Sequence, residues 1–590
     1  MISPYVKNKP NPIMKGDIMK NTFKRLSAVL FSTALVASLG MASIPASYAA
    51  DYTVTINQPE SDKAAHTYEA YQVFTGTLHG TGENAVLSNV DWGSGVNGDA
   101  LLNELKTTEF ESATPFSACT NAQAVANVLD DLTDNAANLQ KFADIVAKHL
   151  KATPTVTGTK GNNSFPVDDP GYYFIKDADN SLSNAESAAY TDYILKVVDS
   201  VTIDAKEDVP TITKKIVEGE NLVQANTASL GDIIDFQLDS KVPDMSGYNK
   251  YYYIINDTMD AGLEFDETSV KVYIGDNAIA ATDYEVQTGT AAGSYTFQIV
   301  MNQFETRHKD DVGKTIKVTY SAKLNDKADR STTGNPNAVN LTYSNNPNHN
   351  YTGVNEPGTS DVNVTGQTPD SITKTYTTGI MLRKIDGSTK KALAGAKFKL
   401  QGKNVNRAII TNAESFEEND SGEFYKLKDG TFTKTAPTAA TMDQYNETAP
   451  NQRYAIKEQT SVMHSVSGED YYIEAQVDDY GILTFEGLGE GTYTLIETKA
   501  PEKYNSVSPI SIVISANPTL SGPNWTITED GAALSTTTGI YDFTIENNMG
   551  VTLPSTGGMG TTVFYVVGGL LVAGALVLLI VKKRMNIKEK

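Results

Sequence analysis

The sequence predicts a mainly β protein of tandem immunoglobulin-like β-sandwich domains, the first with a helical insertion, between an N-terminal signal peptide and a C-terminal transmembrane helix. Three observations carry that expectation. Short runs of alternating apolar and polar residues recur along the chain with Gly, Pro, Asn and Asp between them, the pattern of strands joined by turns. Helical spacing stands out in one internal stretch, through Leu139, Phe142, Ala143, Val146 and Leu150. Each end carries an apolar run, and the two runs differ in length.

The N-terminal run has the three parts of an export signal. Met19-Lys20 with Lys24 and Arg25 form a basic segment, Leu26 to Leu39 an apolar segment too short to span, and Ser47-Tyr48-Ala49 a small-x-small cleavage site. Residues 1–49 are therefore expected to be removed, leaving Ala50 first, with translation starting at Met19. The C-terminal run, expected to span as a helix over 561–581, is uncharged from Val563 to Val581, long enough for most of a ~30 Å hydrocarbon core. Lys582, Lys583 and Arg584 follow at once, so the tail 582–590 stays cytoplasmic and everything before the span lies outside.

The net charge is −23 at pH 7, and both end segments are basic, so the stretch between them is more acidic still. That excludes nucleic acid as a partner and suits a soluble extracellular chain. A length of 590 residues, less the two ends, suggests three domains. Cys119 is the one cysteine, so no intramolecular disulfide staples them. The six His residues, His66 among them, are scattered without metal or triad spacing. No metal, cofactor or enzymatic constellation is expected.

Taken in order, strands at Tyr52–Asn57 and Thr67–Thr75, the helical insertion, and the runs "PGYYFIKD" and "TDYILKVVD" make a first domain over 50–206. A second, over 207–347, alternates through "TITKKIV", "DIIDFQLDS", "YYYIIND", "SVKVYIG", "YTFQIVM", "TIKVTYSAKL" and "VNLTYS". Residues 348–376, rich in Asn, Gly, Pro, Thr and Ser, read as a linker. A third domain covers 377–549. Its "GLGEG" lies between two strands with no helix after it, so it is a hairpin turn and not a phosphate loop.

Leu553-Pro554-Ser555-Thr556-Gly557, ahead of the span and the basic tail, resembles the sorting signal of Gram-positive surface proteins. The resemblance implies that a sortase thiolate cuts between Thr556 and Gly557 and passes the Thr556 acyl group to an amine. The span is then a pause during export. "MLRKIDGSTKKALAGAKFKL", "LTFEGLGEGTYTLIETKAP" and "YDFTIENN" in the third domain resemble, in order, the opening, the acidic box and the last strand of a collagen-adhesin B-type (Cna B) domain.

Side chains alternate along a strand, so Leu382 shares a face with Lys384, Tyr493 with Glu497, and Phe543 with Asn547. Three polar groups turned into one core would be costly alone. The Cna B resemblance implies an isopeptide bond between Lys384 and Asn547. The chemistry is accessible: burial disfavours an ammonium, leaving a nucleophilic amine, and Glu497 can polarise the Asn547 carbonyl and shuttle the proton to leaving ammonia. The second domain offers Lys214 in phase with Ile212 and Ile216, and Asn337 in phase with Val339 and Leu341. "IINDTMDAGLEFD" resembles the acidic segment of isopeptide-forming pilin domains, pointing to Asp257, with Asp235 its rival and Asn340 and Asn345 rivals of Asn337.

The first domain places Asp177 where an acid would sit, yet its first strand has no inward Lys, so no such bond is expected there. "TYEAYQVFTG" and "LSNVDWGSGV" resemble the N-terminal domain of shaft pilins. In those pilins a Lys near this domain's end accepts the acyl group; Lys206 in "DSVTIDAKEDVP" takes that place, although Asp204-Ala205 stands where the pattern has Tyr-Pro. The whole chain thus resembles the backbone (major) pilins of sortase-assembled pili. That resemblance implies a wall-anchored structural subunit with pilin-type and housekeeping sortases, further copies of itself, minor pilins and peptidoglycan as partners, and host surface molecules beyond them. The competing expectation is a monomeric wall-anchored adhesin built from the same parts.

Overall fold

A computed structural model describes residues 52–550, apart from short internal segments (81–84, 112, 133–135, 184, 199, 206–207, 362, 412–415, 429–431, 457–461, 466–470 and 537–539), together with 560–586. The signal segment, Lys206 and the 553–557 motif lie outside the described residues. The chain divides near Tyr376 and Thr377 into two compact units.

The first unit holds two domains. In the first, strand β1 (Tyr52–Asn57) is the centre of a three-stranded sheet, and β2 (Tyr68–His79) and β3 (Gly171–Asp177) lie side by side in a larger one. Val54, Ile56, Tyr68, Ala70, Phe165 and Tyr173 fill the space between the sheets. Strand β2 is buried on both faces because three helices cover its far side: α1 (Gly98–Thr107), α2 (Ala122–Asp131) and α3 (Ala136–Lys148). The helical stretch read from sequence, Leu139 to Leu150, accounts for the last of these alone. Two of the three are only ten residues long, each started by an Asn side chain that accepts a backbone N–H, Asn97 and Asn121.

His66, read from sequence as an unremarkable histidine, is fully buried. Its Nε2 lies 3.1 Å from Asp62 Oδ2 and its Nδ1 2.8 Å from Asp177 Oδ1. The same carboxylates accept the N–H groups of Ala189 and Thr191 at 3.1 and 2.8 Å. The segment so held reaches the second domain, where Ser187 N–H donates to Gln367, Tyr190 N–H to Asn345, and the Tyr343 hydroxyl to Ala188.

The second domain is a sandwich of two sheets. Strands β4 (Ile212–Glu218), β5 (Ile233–Lys241) and β7 (Thr315–Leu324) belong to one; β6 (Tyr253–Met259), β8 (Asn335–Ser344) and β9 (Ser371–Tyr376) to the other. Residues 348–376, expected to be a linker, are part of this domain: β9 pairs with β8, and Thr365–Gln367 pairs with the end of β8. The Asn- and Gly-rich stretch between them supplies turns that wrap a buried carboxylate. Asp361 accepts hydrogen bonds from Tyr252 Oη at 2.7 Å, His349 Nε2 at 3.0 Å and Gly358 N at 2.8 Å.

In the second unit, β10 (Thr378–Asp386), β12 (Ile482–Leu488) and β14 (Ile540–Asn547) form one sheet, while β11 (Lys397–Gly402) and β13 (Gly491–Lys499) lie in the other. A separate four-stranded sheet is inserted between Phe416 and Ile456. The helix α4 (Gly560–Asn586) includes an exposed apolar span, Val563–Arg584.

Removing His66 would leave two buried carboxyls facing each other. His66→Ala should lower the unfolding free energy of the first domain by about 3–5 kcal/mol, read by denaturant titration with Trp92 fluorescence; an unchanged midpoint would show that the cluster adds no stability.

Candidate functional site

Two cores, one in each unit, hold a lysine, an asparagine and an acid together. In the third domain β10 and β14 run parallel, with Lys384 beside Ile545 and Asp386 beside Asn547. Alternation turns Ile380, Leu382 and Lys384 inward from β10, and Tyr541, Phe543, Ile545 and Asn547 inward from β14. The chain crosses tightly here. Lys384 N–H donates to Gly481 O at 2.6 Å, and a Cβ on Gly481, whose φ is +73°, would lie 2.4 Å from Lys384 O. Only glycine fits that approach without strain.

The Lys384 Nζ hydrogen-bonds Asn547 Oδ1, and lies 3.5 Å from Glu497 Oε1, which comes from β13 on the facing sheet. Asn547 Nδ2 donates to the same Glu497 oxygen at 2.9 Å, and Val507 N–H donates to the other at 2.9 Å. One oxygen of the acid therefore touches both nitrogens. The Lys384 and Glu497 side chains are fully buried. Burial pushes the Lys384 ammonium down to about 8, against the pull of Glu497.

The second-domain site has a different frame. Lys214 comes from β4 in one sheet; Asn337 on β8 and Asp257 on β6 come from the other, in adjacent antiparallel strands. Lys214 Nζ hydrogen-bonds Asn337 Oδ1 and donates to Asp257 Oδ2 at 2.7 Å. Burial lowers Lys214 to about 8, opposed by Asp257, and raises the Asp257 carboxyl, opposed by Lys214. Both shifts favour the neutral pair. The site is walled by aromatic rings, with Lys214 Nζ 5.8 Å from the Phe236 ring centre and 5.7 Å from that of Tyr320.

The rivals lie elsewhere. Asp235 is exposed and accepts from Ser321 Oγ, and Asn340 is on the opposite face of β8, bonded to Asn256, Gln367 and Asp370. Asn345 is buried at the end of β8, next to the segment from the first domain. In the first domain Asp177 meets His66, which Asp62 also holds, instead of a lysine. Sequence reasoning missed one member of the second-domain site. The Tyr320 hydroxyl donates to Asp257 Oδ2 at 2.8 Å and accepts from Asn337 Nδ2 at 3.0 Å. Its place in phase with Ile316 and Val318 was the available signal.

Comparison with known proteins bears on the same stretches. Residues 230–347 match the family model of the Gram-positive pilin backbone subunit 2, Cna-B-like domain; residues 450–525 match the prealbumin-like fold domain, and 545–587 the LPXTG cell wall anchor motif. The trypsin-resistant surface T6 protein of Streptococcus pyogenes serotype M6 is 27% identical over 403 residues, 64% of this chain and 70% of that protein. Among solved structures, the T6 backbone pilin of the same serotype is 16% identical, covering 85% of this chain and 99% of its own, with a TM-score of 0.45. A major pilin of Corynebacterium diphtheriae is 15% identical, covering 85% and 98%, with a TM-score of 0.41. The matched domains and anchor define a surface protein anchored in the cell wall. Within that class, residues 230–347 carry the Cna-B-like domain of Gram-positive pilin backbone subunits, and the chain is similar to the T6 surface protein.

Both lysines are fully buried. Amine acylation of the folded protein should therefore modify surface lysines and spare Lys214 and Lys384, as read by peptide mass mapping. Labelling of either at the rate of surface lysines would contradict their burial.

Proposed function

We infer that each copy is stapled by two autocatalytic isopeptide bonds, Lys214–Asn337 and Lys384–Asn547, and joined to the next copy by sortase through Thr556 and Lys206. What supports this most is the repeated meeting, in two separate apolar cores, of a buried lysine, an asparagine and an acid. Proximity and a dry site favour reaction. The neutral lysine amine attacks Cγ of the asparagine while the acid, Asp257 or Glu497, takes up the proton shed by the entering nitrogen and supplies the one that the departing nitrogen needs. A C–N bond forms, the Cγ–Nδ2 bond breaks, and ammonia leaves.

Lys214 and Asn337 are 123 residues apart, Lys384 and Asn547 163. On the chain-entropy account each closure stabilises by about 5 kcal/mol. Outside these cores, the 553–557 motif gives sortase its Thr556 acyl group, and Lys206 gives the next subunit's amine. The last transfer, to the peptidoglycan amine, anchors the polymer. Minor pilins and host surface molecules are partners of the assembled fibre.

The intact mass of the mature protein should fall short of its sequence by two ammonias. The Glu497→Ala variant should fold, show one loss fewer and melt lower, and a parent mass with no loss at all would end the isopeptide reading. In boiled wall extracts the parent should give a ladder. Lys206→Arg keeps the charge but supplies no free amine, so it should leave only monomer on the wall. A full ladder from Lys206→Arg cells would move the linkage to another lysine, such as Lys196; a single band from parent cells with a pilin sortase would favour an unpolymerised adhesin.

A further inference from the structure

The two sites differ in how the acid reaches the departing nitrogen. In the third domain one Glu497 oxygen lies 2.9 Å from Asn547 Nδ2 and 3.5 Å from Lys384 Nζ, so it can take a proton from one and give it to the other directly. In the second domain the acid is an aspartate, one methylene shorter. It sits on β6 opposite Val339, while Asn337 is opposite Met259, two residues along. Asp257 Oδ2 takes Lys214 Nζ at 2.7 Å, and Asp257 makes no hydrogen bond to Asn337; among the described residues its Oδ1 has no hydrogen-bond partner. The acid reaches the entering nitrogen and stops short of the departing one.

The Tyr320 hydroxyl bridges that gap, at 2.8 Å from Asp257 Oδ2 and 3.0 Å from Asn337 Nδ2. Its ring is held within its own sheet by Phe236, stacked at 5.2 Å between centroids, and by Phe265, edge-on at 5.9 Å, and from the other sheet by Phe297, edge-on at 5.1 Å. We propose that Tyr320 is a catalytic residue of the second-domain site, relaying the proton from Asp257 to the Asn337 nitrogen that leaves as ammonia. The proposal rests on the isopeptide reading above.

A hydroxyl suits this role because it donates and accepts at once. As Lys214 Nζ bonds to Asn337 Cγ, the protonated Asp257 gives its proton to the Tyr320 oxygen while the Tyr320 O–H proton moves to Nδ2. The proton shed by the Lys214 nitrogen then restores Asp257 at Oδ2. The Cγ–Nδ2 bond breaks and ammonia departs, leaving Tyr320 and Asp257 as they began. No outside reagent is needed. Tyr320 works by simultaneous gain and loss, never as a phenolate, because burial and then the neighbouring Asp257 charge push its phenol well above its ordinary value.

The test follows bond formation in the full chain made by cell-free translation, sampling over time for the cross-linked peptides that contain Lys214–Asn337 and Lys384–Asn547. Tyr320→Phe keeps the ring and removes the relay. It should slow the second-domain bond by the factor of a lost acid–base group, about 10²–10⁴-fold, while the Lys384–Asn547 bond forms at the parent rate. Asp257→Glu added to Tyr320→Phe restores the missing methylene and should recover most of the rate, which a purely structural role of Tyr320 would not allow. Parental speed in Tyr320→Phe, or no recovery in the double variant, overturns the relay. Absence of the Lys214–Asn337 peptide from the parent protein overturns instead the isopeptide reading beneath it. Should Tyr320→Phe not fold, difluorotyrosine at position 320 keeps size and hydroxyl but lowers the phenol pKa; the relay then requires a shifted pH–rate profile, and an unshifted one refutes it.

Discussion

A lysine amine inside a β-sandwich core is the constraint around which this molecule is arranged. An ammonium taken out of water needs compensation of several kcal/mol, and the backbone supplies little of it, a single long contact from Lys384 Nζ to Ile545 O at 3.4 Å. Each core therefore brings a carboxyl and an amide to the lysine, and these reach it only if their strands keep register. A one-residue slip of β10 against β14 would turn Lys384 outward and leave Asn547 and Glu497 facing apolar side chains. The polar trio thus adds its own penalty for a slip to that of Ile380 and Leu382, which the same slip would turn outward.

The two sites meet the same need with different frames. In the third domain the lysine and asparagine are neighbours in one sheet and the acid comes from across the core; in the second the asparagine and the acid are neighbours and the lysine comes from across. What recurs is a cluster of atoms and not a strand diagram. The difference has chemical weight, since an acid on the strand next to the asparagine views the amide from the side, and the shorter aspartate there has a tyrosine hydroxyl beside it.

Much of this was legible from the period of two. Alternation alone set Lys214, Asn337, Lys384, Glu497 and Asn547 on inward faces, because neighbours such as Leu382, Leu495 and Leu341 leave no doubt which face is apolar. What alternation does not carry is which sheet a strand joins or what stands opposite it. Tyr320 reads as an ordinary core aromatic until β7 is placed facing Asp257 and Asn337. His66 looked isolated because its partners lie four and 111 residues away, one of them on another strand. Residues 348–376 resembled a linker because turns around a buried Asp361 need the same Asn, Gly and Thr that loose chain does.

That folded stretch bears on how the subunit would stretch. Tension entering the second domain at its start would run along β4 to Lys214 and cross the proposed bond to Asn337, leaving everything between them slack. It would not leave the domain there, because the chain continues through β8, the Asp361 turns and β9 to Tyr376. In the third domain the crossing point, Asn547, is the last residue of the final strand, so almost nothing remains in line beyond it. The second domain alone would hold a reserve of extensible chain, residues 338–376, worth roughly 130 Å at about 3.3–3.6 Å per residue. Under sudden load that reserve would peel away and later re-pair, damping the fibre while its covalent thread stayed whole.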